Sequence, residues 1–154
     1  MPVAVRRALE ARASLRIEGV ATERQVDAAI AAAGLDLRED RPYGGRVQGR
    51  LFRDTVCVRR DLWPDQRRVV KAHELGHHAL GHAEGGFYVR ALGLDVDAEA
   101  DAQVYAWTLL IGRPAATLDG LTAQMHAASA AGVPVDFLCA VVSILAQRLL
   151  GRGA

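Results

Sequence analysis

The sequence predicts an α+β domain, mostly helical, with a small hairpin or three-stranded sheet ahead of its third helix. Three observations carry this. At 154 residues, just over half of them apolar, the chain suits one compact domain, 1–154, and hardly two. Strand-like alternation is confined to residues 46–60. Helical spacing of apolar residues, with caps and stops, accounts for most of the rest.

Taken in order, residues 3–16 place Val5, Leu9 and Ala13 at helical spacing. The second helix is better marked. "TERQ", residues 22–25, is a capping box, and Gly34 stops "VDAAIAAAG" because it tolerates the left-handed backbone of a C-terminal cap. "RPYGG" is turn chemistry. "RVQGRLF" and "TVCVRR" read as two strands joined near Arg53 and Asp54, with Val56 and Val58 alternating against Thr55, Cys57 and Arg59. "LWP" breaks the second strand. Asp65 is placed to cap a third helix that ends near Gly81 or near Gly85 and Gly86. "GFYVRALGLDVD" is ambiguous between a loop and a short element. Asp97 is placed to cap "AEADAQVYAWTLLI", where Ala102, Ala106, Leu109 and Leu110 share a side and Gly112 and Pro114 end the helix. "LDGLTAQMHAASAAG" and "VDFLCAVVSILAQRLLG" are two further helices separated by Gly132 and Pro134. The apolar run "FLCAVVSILA" is about half the ~20 residues needed to span a bilayer, so it reads as a core helix.

The N-terminus has charges where a signal peptide has its apolar region, so a cytoplasmic protein with no membrane span is expected. Cys57 and Cys139 fit no Cys-x-x-Cys pattern and are expected as two buried thiols. Net charge is +1, but residues 1–77 carry fifteen basic and eleven acidic groups while residues 78–154 carry four and seven. Six arginines and one aspartate fall within residues 41–60. No helix-turn-helix, zinc-finger or ribonucleoprotein signature accompanies them. They read as a solvated face suited to an acidic partner, and direct nucleic-acid binding is not expected.

Four of the five histidines fall in "RRVVKAHELGHHALGH". His73, Glu74 and His77 spell His-Glu-x-x-His. Residues four apart on a helix share a face, so both imidazoles can reach one tetrahedral zinc ion. Glu74 lies between them around the helix, placed to act as general base on a water that zinc acidifies. Small Gly76 lets another element approach the helix closely, while Leu75 can face the core.

A third ligand is required, and His82 is the tempting choice. In the long three-histidine motif of metzincins, glycine stands three residues and histidine six after the second histidine. Those positions are Leu80 and Ala83, so His82 is out of register. His78 lies about 100° round the helix from His77 and points elsewhere. Both are read as partly exposed or as touching a ligand or the substrate. "DVDAEADAQVYAW" offers carboxylates instead. Glu99 shares a side with the small residues Ala102 and Ala106 and with Gln103. Asp101 falls on the other side and, like Asp97, reads as a charge favouring the helix N-terminus. This favours Glu99 as ligand, with Gln103 one turn on as a hydrogen-bond partner.

Together these segments resemble the ImmA/IrrE family of bacterial and phage zinc metallopeptidases. Besides "AHELGH", the family shows a helix of the form Glu-x-x-Ala-(Asn/Asp)-x-(Phe/Tyr)-Ala-x-x-Leu-Leu. "EADAQVYAWTLLIGRP" puts Glu99, Ala102, Gln103, Tyr105, Ala106, Leu109 and Leu110 in register with it. The likeness runs from about residue 47 to the end. Three departures stand out: "VVK" replaces Phe-Thr-Leu before the motif, Gln103 replaces Asn or Asp, and "IGRP" delays a proline by two residues. None removes a ligand or the base.

The resemblance implies a gluzincin-like (zincin-like) domain holding one zinc ion on His73, His77 and Glu99. It implies limited, regulatory cuts in a protein partner, a helix-turn-helix transcriptional repressor. A peptide substrate is expected as an added strand on the sheet edge, with Thr55–Arg59 as the candidate edge. Tyr88, Tyr105, His78, His82 and His126 are all available to stabilise the oxyanion. The rival reading is a non-catalytic zinc scaffold that sequesters a regulator.

Overall fold

A computed structural model describes residues 1–40, 47–82 and 96–151. The turn expected at "RPYGG", most of the ambiguous stretch before residue 96, and Tyr88 lie outside these residues. Among the described residues the order is α1 (Val3–Ser14), α2 (Glu23–Ala32), β1 (Asp36–Asp40), β2 (Gly49–Phe52), β3 (Thr55–Arg59), α3 (Pro64–Ala79), α4 (Val96–Ile111), α5 (Leu118–Ala130) and α6 (Val135–Gly151). The fold is α+β, with one three-stranded sheet among the described residues. No helix among them is long and apolar enough to cross a membrane.

Local chemistry sets most element ends. The α2 capping box is complete: Thr22 Oγ1 accepts from the Gln25 amide at 3.2 Å, and Gln25 Oε1 accepts from the Thr22 amide at 2.9 Å. At the other end Gly34 takes φ +76° and closes a Schellman turn, its amide donating to Ala31 and that of Leu35 to Ile30. The α3 start differs from expectation. Pro64 occupies the first helical position, Trp63 becomes the N-cap, and Asp65 falls inside the first turn, where it pairs with Arg68. Asp97 likewise lies within the first turn of α4. In α1 the buried face is Ala4, Val5 and Ala8, while Ala13 is exposed.

The sheet order is β1-β3-β2. β2 runs antiparallel to β3, with Gly49 opposite Val58 and Phe52 opposite Thr55, and the turn between them puts Arg53 at φ +51°. β1 runs parallel to β3, with Asp36 opposite Thr55. Thr55–Arg59 is therefore the central strand and not the edge, which corrects the expectation from sequence. Its Val56, Cys57 and Val58 are all buried, as a strand covered on both sides requires. Among the described residues the edges of the sheet are β1 and β2.

α4 is the core of the helical part. From Val104 to Leu110 every residue is buried, Trp107 fully, so the helix is enclosed by α1, α3 and α6 and has no polar face over that stretch. α5 and α6 form a helical pair; Phe137, Leu138, Val141 and Leu145 give α6 one buried stripe. Cys57 is buried but Cys139 is exposed, against the expectation of two buried thiols; both are free.

One polar group holds α2, α3 and β1 together. Lys71 of α3 is fully buried, and its Nζ lies 2.9 Å from Glu23 and 2.8 Å from Asp27 of α2, and 2.7 Å from Glu39 of β1. Burial lowers the pKa of this ammonium, but its carboxylate partners outweigh that and the net direction is up. Arg67 adds a second cation to Glu23 at 3.1 Å.

Candidate metal centre

His73 and His77 sit one turn apart on the face of α3 that meets α4. Their Nε2 atoms are 3.0 Å apart, with the rings nearly perpendicular. Glu99, from the first turn of α4, faces both: Oε2 is 3.1 Å from His73 Nε2, and Oε1 is 2.9 Å from His77 Nε2. The three side chains could hold a metal ion, since one ligand atom from each lies within 4.8 Å of the others.

Close packing of the two helices makes this possible. A Cβ added at Gly76 would meet the Ala102 carbonyl oxygen at 3.1 Å and Tyr105 Cβ at 3.2 Å. Glycine on α3 and alanines at 98 and 102 on α4 let the backbones approach, and Leu75 faces the core. The acid thus reaches the two imidazoles from a different helix.

The second nitrogen of each ring is engaged as well. His73 Nδ1 lies 3.0 Å from Gln103 Oε1, an acceptor, so this nitrogen donates there, and a metal that displaced the proton on Nε2 would meet that nitrogen's lone pair. His77 Nδ1 lies 2.7 Å from His82 Nδ1, and a proton on the His77 side leaves Nε2 as a lone pair there too. Two imidazole lone pairs and a carboxylate then converge on one point. Tetrahedral zinc with bonds near 2.05 Å would separate two such nitrogens by about 3.3 Å. The donor set and the 3.0 Å separation fit such an ion.

His82 owes its position to Gly81. At φ +69° this glycine closes a Schellman turn after α3: its amide donates to His78, and the His82 amide returns to the His77 carbonyl at 2.9 Å. The turn folds the out-of-register histidine back onto His77. Gly81 was the signal in the sequence, and reading register alone overlooked it.

In the metal-free protein the cluster is electrostatically tight. Burial raises the pKa of the Glu99 carboxyl, but hydrogen bonds and charge from His73 and His77 outweigh this and hold it well below the usual carboxylate range. Burial lowers the pKa of the His73 imidazole. Glu99, Glu74 and Gln103 outweigh that, so the net direction is up.

Glu74 is 3% exposed and lines a cleft of about 300 Å³ with Gln48, Gly49, Val69, Val70 and the ligand side. A Cβ on Gly49 would lie 2.4 Å from Val70 Cγ1, so only glycine lets β2 pass this close to α3. The N-terminal end of the edge strand β2 therefore opens beside Glu74. Other candidates sit elsewhere. Tyr105 and His78 line a different cavity, between α1, α2 and α3. Asp101 pairs with Arg148 at 2.6 Å, and His126 is exposed on α5.

Gln103→Leu should remove the acceptor that orients His73 and weaken metal binding at this cluster about 10- to 100-fold, as is usual for such partners. Competition with a chromophoric chelator measures this, and an unchanged affinity would deny Gln103 that role. No family model, no curated protein and no solved structure matches this chain.

Proposed function

We propose that this chain is a zinc-dependent endopeptidase that makes limited, regulatory cuts in a protein partner, a helix-turn-helix repressor met in the cytoplasm. The observation that carries the reading is the convergence of His73, His77 and Glu99 with the buried carboxylate of Glu74 beside them in a cleft. The partner class rests on the resemblance of "AHELGH" and "EADAQVYAWTLL" to the regulatory peptidases named above.

A bound zinc ion would acidify its water and polarise the scissile carbonyl. The protein's own groups do the rest. Gln103 and His82 hold the two ligand imidazoles in the tautomer that offers Nε2. Glu74 takes the proton of the attacking water and delivers it to the departing amine. β2, an edge strand among the described residues that begins at the cleft, is suited to take an extended peptide as an added strand, with Gly49 letting it lie close against α3 beside Glu74.

A scaffold that only sequesters its partner has no use for an acid at position 74, so Glu74→Gln separates the two readings. The expected result is intact zinc content, with cleavage of the repressor slowed by about 10²- to 10⁴-fold when products are followed by mass spectrometry. Full cleavage or full regulatory activity in Glu74→Gln would sink the peptidase proposal.

A further inference from the structure

We propose that the cavity behind the motif helix, between α1, α2 and α3, binds a small organic anion with a flat apolar body, such as an aryl phosphate or an aryl carboxylate. The cavity measures about 570 Å³, nearly twice the cleft beside Glu74, and falls in the range of small-molecule sites. It lies on the face of α3 that carries Leu75 and His78, away from the cleft lined by His73 and Glu74.

Its polar lining is suited to a negative charge. Arg6, Arg7, Ser14, His78 and Tyr105 contribute donors, against one carboxylate, Glu10. Glu10 is committed to Arg6 at 3.6 Å in an exposed pair. Arg7 donates to the Ala79 carbonyl through one guanidinium nitrogen, which anchors it across the cavity and leaves its other nitrogens to a ligand. Tyr105 is the decisive residue. It is 2% exposed, and its hydroxyl has no hydrogen-bond partner among the described residues. The hydroxyl is not among the fully enclosed unpaired polar atoms, so it opens into the cavity, where a ligand can pair with it. Burial, opposed by Arg7, pushes this phenol up to about 12, so it is a donor at neutral pH. His78 also lacks a partner among the described residues.

The rest of the lining is apolar. Ala29 and Ala32 of α2, Ala33 just after it and Leu75 of α3 form a floor with no polar side-chain atoms. Inorganic phosphate would meet the donors and leave that floor bare, whereas an aryl group would cover it. Both halves of the ligand class follow from this division of the lining.

Titration of the zinc-loaded protein with phenyl phosphate, followed by amide NMR, tests the proposal, with inorganic phosphate and phenol as half-ligand controls. The expected result is saturable shifts at Arg7, Ser14, His78 and Ala79, with weaker binding of either half. Tyr105→Phe removes one oxygen and should weaken phenyl phosphate about tenfold, the worth of one hydrogen bond to an anion. If that variant fails to fold, Ala32→Leu, which fills the floor, should weaken binding likewise. The proposal is overturned by no saturable shift at millimolar probe, by shifts confined to Gly49 and Val70 in the metal cleft, or by wild-type affinity in whichever variant is folded.

Discussion

On the proposed zinc site, Glu99→Ala is expected to abolish tight zinc binding and, with it, the thermal stabilisation expected when zinc is added to the wild-type protein. The carboxylate is the candidate ligand that α4 contributes, and it contacts both imidazoles. Without it two histidines on a single turn of α3 remain. A ligand present at a thousandfold above its Kd adds about 4 kcal/mol to folding. For a domain of this size that is a rise in Tm of about 10 °C. Wild-type protein should show a shift of that order on adding zinc and lose it with a chelator, whereas Glu99→Ala should show almost none. An equal zinc shift in both proteins, measured by calorimetry, would remove Glu99 from the site.

The same cluster sets a pH dependence. His73 has a raised pKa in the metal-free fold, so its pairing with Glu99 stabilises that form fully below about pH 6.5 and is lost as pH rises through the folded value. Glu99 has a depressed pKa, so its share is present above about pH 4.5 and lost as pH falls through its folded value. A metal needs His73 neutral, so zinc must displace its proton. The zinc-induced shift in Tm should therefore grow from pH 6 to pH 8, with proton release on binding.

Lys71→Ala should destabilise the fold without touching the candidate metal ligands. The ammonium is fully buried among Glu23, Asp27 and Glu39, and its removal leaves three carboxylates facing one another. Breaking a buried pair typically costs about 3–5 kcal/mol. The carboxylates keep between a quarter and two-fifths of their surface in water, which reduces this to about 2–3 kcal/mol. Urea melts at neutral pH would show the loss as a lower midpoint. The gap should narrow in acid. Burial raises the pKa of Glu23, but Arg67 and Lys71 outweigh that and leave it depressed, so its contribution is present above about pH 4.5 and fades as pH falls through the folded value. A midpoint equal to wild type would mean that the buried lysine adds nothing to the junction of α2, α3 and β1.

β1 shows why part of the fold was not legible. "DLRED" carries one apolar residue in five and no β-branched side chain, so nothing in it signals a strand. It becomes one because β3 offers a parallel partner and Lys71 holds Glu39. Mistaking β3 for the edge has the same root, since its alternation records side-chain burial but not which strands lie beside it. Asp65 looked like a cap because the residue type was right, but Pro64 takes the first helical position and moves the cap to Trp63. The enclosed stretch of α4 looked amphipathic because its most apolar positions share a side; three helices pack around it and bury the remainder.

By itself the sequence determined what depends on near neighbours along the chain. It set the α2 capping box, the glycine stops at 34 and 81, and two imidazoles on one face of α3. These follow from backbone geometry within four or five residues, which composition and spacing encode directly. Tertiary structure alone decided the order of the sheet, the burial of Lys71 and the orientation of Glu99 toward both histidines. It also decided that Tyr105 turns away from the metal cleft. Those outcomes depend on which surfaces meet across tens of residues, and the close approach of α4 to Gly76 is what brings the carboxylate to the imidazoles.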